Sequence, residues 1–136
     1  MTLAQVEALF VDTAPFEGDR RDIWEAFKRY TDLLGELLPG STLIIDGSFT
    51  TWNDTRPPHD IDFAARIDML AYAALPTHQA ERLKHLREAS PEIDAHVIPD
   101  WDDTLAGWVY EIFSAARDVN GRRIHGERKG VIEVTL

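Results

Sequence analysis

The chain has 136 residues, a length that fits one domain with a real core but excludes a catalytic domain joined to a large recognition domain. Hydrophobic residues at 44% and charged residues at 28% are near globular averages, and no cysteine is present, which excludes disulfides, thiol nucleophiles and thiolate zinc sites. A net charge of −10 argues against broad nonspecific binding of nucleic acid, because phosphate-backbone affinity depends on Lys and Arg displacing counterions.

Any metal would therefore sit among oxygen or imidazole ligands, and 24 acidic groups favour hard cations. No apolar run reaches the length of a membrane span, and the first ten residues lack the basic start and apolar block of a signal peptide. The expectation is a cytoplasmic protein without a membrane partner.

Along the chain, a short segment over 3–10 precedes Pro15 and Gly18. Ile23, Phe27, Tyr30, Leu34 and Leu37 then recur at three- and four-residue steps, which predicts a core helix ending by Pro39-Gly40. Residues 42–46 are short, apolar and bounded by Gly40 and Gly47, the signature of a buried strand. A polar loop containing Pro57-Pro58 leads to a second strand over about 60–67.

A short helix over 68–74 and a second over 77–89 follow, the latter with Ala80, Leu83 and Leu86 inward. Residues 92–98 alternate polar with apolar side chains, as a strand with one polar face does. Thr104 is placed to cap a helix carrying Leu105, Trp108, Val109, Ile112, Phe113 and Ala116 as an apolar stripe, and a last strand is expected over 131–136. Trp24 and Trp108 read as core residues. With no internal repeat and no dividing linker, residues 1–136 read as a single domain of α+β class, a mixed sheet with helices mainly on one face.

The chemistry gathers around Asp60-Ile61-Asp62. With 14 aspartates in the chain, an Asp-x-Asp spacing is near chance, and Asp100-Trp101-Asp102, read as a turn before a helix, is a second instance. Position gives the first pair its weight: residues i and i+2 of a strand share a face, and two carboxylates side by side repel unless a cation lies between them. Gly47-Ser48 follows a buried strand, and eleven residues, 49–59, separate Ser48 from Asp60. Glycine admits an anion close to backbone N–H groups and serine adds a hydroxyl, which suits phosphate oxygens. The plain alternatives are an ordinary turn for Gly47-Ser48 and a solvated strand edge for the aspartates.

An apolar strand, then Gly-Ser, then about nine to thirteen residues, then Asp-x-Asp in a strand resembles the hallmark of polymerase-β-like nucleotidyltransferases. Here it stands as Leu43-Ile44-Ile45-Asp46-Gly47-Ser48 and Asp60-Ile61-Asp62-Phe63. The opening LAQVEALF, the strand IIDGSF, the DID pair and the ending GERKGVIEV further resemble small bacterial and phage nucleotidyltransferase-like proteins. The resemblance implies that Asp60 and Asp62 bind two Mg²⁺ ions, with Mn²⁺ as a substitute, and that a third carboxylate on a neighbouring strand completes the site. Asp94 fits that position, with Glu92 on the same face as the alternative.

The reaction so implied is attack of an acceptor hydroxyl, on protein, RNA or a small molecule, at the α-phosphate of an NTP, with Gly47 and Ser48 holding the outer phosphates. The rival expectation is a nucleotidyltransferase-like binding protein without turnover, such as an antitoxin with a toxin partner, a phage regulator or a defence component. A purely structural domain is the third. Trp52 is placed to stack on a base, and the basic stretch 122–129 (Arg122, Arg123, Arg128, Lys129 against Glu127) either contacts phosphates or an acidic partner, or forms a solvated hairpin.

Overall fold

The computed structural model describes residues 1–51, 55–117, 123–128 and 130–136, with 116–117 and 123–128 as backbone. Thr2 opens helix α1 (Leu3–Glu7) with a capping box: its Oγ1 accepts from Gln5 N–H at 3.2 Å while Gln5 Oε1 accepts from Thr2 N–H at 2.8 Å. A wider helical turn, Ala8–Asp12, carries the chain toward α2 (Glu17–Leu37). Acidic Glu17 and Asp19 lie in the first turn of α2, where the helix dipole favours them. Of its expected face, Ile23, Phe27, Tyr30 and Leu34 are at most 3% exposed and Leu37, at the helix end, is half-buried.

Strand β1 (Thr42–Asp46) and strand β2 (Ile61–Ile67) run antiparallel, joined through a tight turn at Ser48–Thr50 and the loop beyond it. Helices α3 (Met69–Ala73, capped by the Asp68 carboxylate) and α4 (Thr77–Ala89) form the crossover to β3 (Ile93–Pro99). That crossover lets β3 lie parallel to β2. Helix α5 (Asp103–Phe113) is followed by a two-stranded ribbon, β4 (Ala115–Arg117) with β5 (Arg123–Arg128), and then by β6 (Ile132–Thr135). β6 returns to β1, giving a four-stranded mixed sheet of order β3-β2-β1-β6. The protein is thus of the α+β class.

Alternation along the strands divides the molecule into two layers of unequal size. Leu43, Ile45, Ile61, Phe63, Ala65, Ile67 and Val134 face the main core, where α1, α2, α3 and α4 pack. Phe27 meets Phe63 edge-on at 5.1 Å between ring centroids. The opposite face offers Ile44, Ala64 and Ile98 to α5, which covers them with Leu105, Ala106, Val109, Tyr110 and Phe113. Polar ties hold α5 at both ends: Arg66 Nη2 reaches Asp103 Oδ1 at 2.8 Å, and the Tyr110 hydroxyl donates to Glu133 Oε2.

Two expectations for α5 need correction. Asp102, not Thr104, caps the helix, its Oδ1 accepting from Leu105 N–H at 2.8 Å, since a carboxylate there also meets the positive end of the dipole. Trp24 is core at 1% exposure, but Trp108 is 69% exposed, because one sheet face buries only one side of a lone helix. Of the basic stretch, the backbone from Arg123 to Arg128 pairs as β5 in the ribbon. The remaining residues of that stretch lie outside those described.

Candidate active site

β1 ends at Asp46, and the next residue turns the chain at φ 95°, a conformation that favours glycine. Space demands glycine as well. A Cβ on Gly47 would lie 2.9 Å from Asp62 N and 3.2 Å from Asp60 O, both backbone atoms that cannot swing away. The turn thus closes directly onto the start of β2.

Ser48 completes that closure. Its Oγ accepts from His59 N–H at 3.0 Å and lies 3.3 Å from Asp60 Oδ1, while Phe49 N–H donates to Asp60 O at 3.3 Å. Phe49 is fully buried and stacks on Trp24 with centroids 6.0 Å apart. Beneath it the fully buried Arg20 spreads its guanidinium over four backbone carbonyls: Pro15 at 2.7 Å, Phe10 at 3.0 Å, Phe49 at 2.6 Å and Thr51 at 2.8 Å. Burial lowers the Arg20 pKa, and those carbonyl dipoles are what the buried cation is given in place of water.

The register across the sheet assembles the acids. Asp46 of β1 is paired with Asp62 of β2, and Asp62 with Asp94 of β3, so three carboxylates stand on one row. Parity puts that row on the same sheet face as Ile44, Ala64 and Ile98, beside the ground that α5 covers. Asp60, just before β2, adds a fourth. The register also separates the alternatives for the neighbouring-strand acid: Asp94 is level with Asp62, whereas Glu92 precedes β3 and offers its carbonyl to Ile61 N–H at 2.9 Å.

Asp62 carries the electrostatic consequence. Its pKa is pushed up to about 6, first by burial and then by the charges of Asp60, Asp94 and Asp46, with His96 opposing. His96 Nε2 lies 3.3 Å from Asp94 Oδ1 on the same face. Among the described residues no three such groups converge on one point as they stand. Asp94 is more than half exposed, however, and its side chain has room to rotate. The donor set, all hard oxygens with one imidazole, fits a hard divalent cation, and Asp62 is where such a cation relieves most repulsion.

The structure therefore brings Gly47, Ser48, Asp60, Asp62 and Asp94 to one end of the sheet. Trp52 lies outside the described residues. Two residues escaped sequence reasoning. Asp46 was visible as an acid ending an apolar strand, but its place opposite Asp62 is a matter of register, while Arg20 gave no local signal. A cavity of about 370 Å³ lies at the far ends of β1 and β2, lined by Leu37, Leu38, Ser41, Arg66 and Asp68 among others. A shallower groove of about 620 Å³ runs along α4 by His78, Glu81, Arg82, His85 and Leu86. The carboxylate row lines neither of these two: Asp46 is buried, while Asp94 is exposed.

The chain belongs to a family of unknown function, DUF6932, whose family model matches residues 1–135. No curated protein and no solved structure matches it.

Proposed function

We propose that this protein is a Mg²⁺-dependent nucleotidyltransferase, with a nucleotidyltransferase-like arrangement of its sheet, that moves a nucleoside monophosphate from an NTP to a hydroxyl acceptor. The observation that carries the reading is the cross-strand row Asp46, Asp62, Asp94 next to the turn that Gly47 closes on Asp60 and Asp62. Asp60, Asp62 and Asp94 are the residues that would hold Mg²⁺ or Mn²⁺. When bound, the ions supply charge neutralisation for the triphosphate and a lowered pKa for the attacking hydroxyl.

The protein's own part is placement. On this reading Gly47 seats the phosphate-binding turn against Asp60 and Asp62, and the Ser48 hydroxyl, 3.3 Å from Asp60 Oδ1, exchanges that contact for a phosphate. Fixed on rigid strands, Asp62 and Asp94 keep their spacing while the acceptor oxygen attacks the α-phosphorus and pyrophosphate leaves. The protein works away from membranes on this reading, in the cytoplasm; among the described residues no helix is long and apolar enough to cross one.

A second reading has its own support. Ser48 is turned inward to Asp60 and His59, which suits a nucleotide-binding protein without turnover, such as an antitoxin docked on a toxin. Transfer of label from α-labelled NTP in lysate of the native host separates the two. Label appearing with wild type but not with Asp60→Asn or Asp62→Asn supports the transferase. Binding without transfer supports the second reading, and transfer that survives both substitutions refutes the site.

A further inference from the structure

The cavity of about 370 Å³ at the far ends of β1 and β2 has no part in the proposed transfer. Its apolar lining is Leu38, buried, with Leu37 and Ala71, half-buried. Beside them the buried Ser41 donates its hydroxyl to Leu38 O at 2.7 Å. The volume stands near the lower limit of small-molecule pockets, roughly 300–1,000 Å³, which suits a short-chain molecule rather than a nucleotide.

Three charged residues complete the lining. Arg66 turns its Nη2 to Asp100 O at 2.6 Å and to Asp103 Oδ1 at 2.8 Å, so Asp103, outside the lining, answers its charge. Asp68 and Asp100, both exposed, are the other two. The Asp100 N–H donates to Ile67 O at 2.8 Å, which draws the turn after β3 against the start of α3 and sets both acids on adjoining segments. The balance of the lining is therefore acidic, and it attracts a cation.

Apolar surface continues outside. Leu70, next to Ala71, is 85% exposed, and Trp101, next to Asp100, is 73% exposed. A bare metal ion uses none of that surface. An organic cation uses all of it: an ammonium for the carboxylates, methylenes for the leucines, and a charge that an exposed indole attracts.

We propose that this cavity binds an alkylammonium group, its charge held by Asp68 and Asp100 and its methylenes laid over Leu37, Leu38 and Ala71. The group belongs to a free diamine or to a lysine side chain of another protein, and the chemistry recognised is the same.

Calorimetric titration of the full chain with diaminobutane and with Nα-acetyl-lysine amide tests this, with succinate as the anion of like length. Wild type binds at least one amine at millimolar concentration and leaves succinate unbound. Asp68→Asn and Asp100→Asn each weaken amine binding about tenfold, the loss of one charge-assisted contact. Asparagine at 68 still caps α3, and the Asp100 bond to Ile67 is made by backbone, so both variants keep their melting temperature. Asp60→Asn and Glu88→Gln remove equal charge elsewhere and leave amine binding unchanged, which separates the cavity from the carboxylate row and from the chain's overall charge. Binding of the diamine alone assigns a free amine, binding of the lysine amide alone a protein side chain, and either supports the site. No binding of either amine, binding of succinate in their place, or binding that survives both asparagine variants at 68 and 100 overturns the proposal.

Discussion

Gly47 and Asp62 touch the same point of the molecule from opposite sides, and each yields a test at the level of one side chain. Gly47→Ala adds a Cβ 2.9 Å from a backbone nitrogen at φ 95°, where an L residue is already strained. We expect a loss of about 2–4 kcal/mol, read as a lower urea midpoint with unchanged slope. Asp62 works the other way. Its pKa is raised from 3.8 to about 6, so between those values the unfolded chain gives up a proton that the folded one keeps. Stability from this group therefore falls as pH rises from about 4 to 6, and the full penalty stands above that. Asp62→Asn removes it, raising stability at pH 7.5 by about 1–2 kcal/mol once solvent screening of the half-buried Asp62 is allowed for, with little change at pH 4. A variant no more stable than wild type at pH 7.5 would show that Asp62 does not bear the penalty of burial beside like charges.

The next scale is the turn and the helix beneath it. The turn after β1 is held from below by Phe49 and by the Arg20 guanidinium, which binds the Phe49 and Thr51 carbonyls. Arg20→Met keeps the apolar stem but orphans four carbonyls, so we expect about 3 kcal/mol of destabilisation. Limited proteolysis should then cut first between residues 51 and 60, whereas an unchanged cleavage pattern would count against Arg20 as the clamp. Elements with strong periodicity were legible in advance: the boundaries of β1 and α4 are those the pattern indicates, and the buried stripe of α2 runs through Ile23, Phe27 and Tyr30. What a single sequence hides is pairing. The alignment of Asp46 with Asp62 and the reach of Arg20 depend on contacts between segments distant in the chain. Trp108 misled for a related reason, since an apolar helical stripe tells nothing of how much of its width the sheet will cover.

For the molecule as a whole, a small α+β scaffold keeps its large core on one side of the sheet and gives the other side to α5 and the acids. That division concentrates negative charge at one sheet end of a chain already at −10, an arrangement that costs stability through mutual repulsion. The Asp-x-Asp spacing and the Gly-Ser turn marked this end in the sequence, and the register tied them together with two further strands' acids. The most direct measurement is the melting temperature with Mg²⁺ or Mn²⁺ and each NTP, for wild type and for Asp60→Asn and Asp62→Asn. At least one NTP with metal is expected to raise the wild-type value, by stabilisation of about 2.7 kcal/mol at a hundredfold excess over Kd, and to leave both variants unmoved. No rise for any NTP with either metal, or an equal rise in the variants, would contradict it.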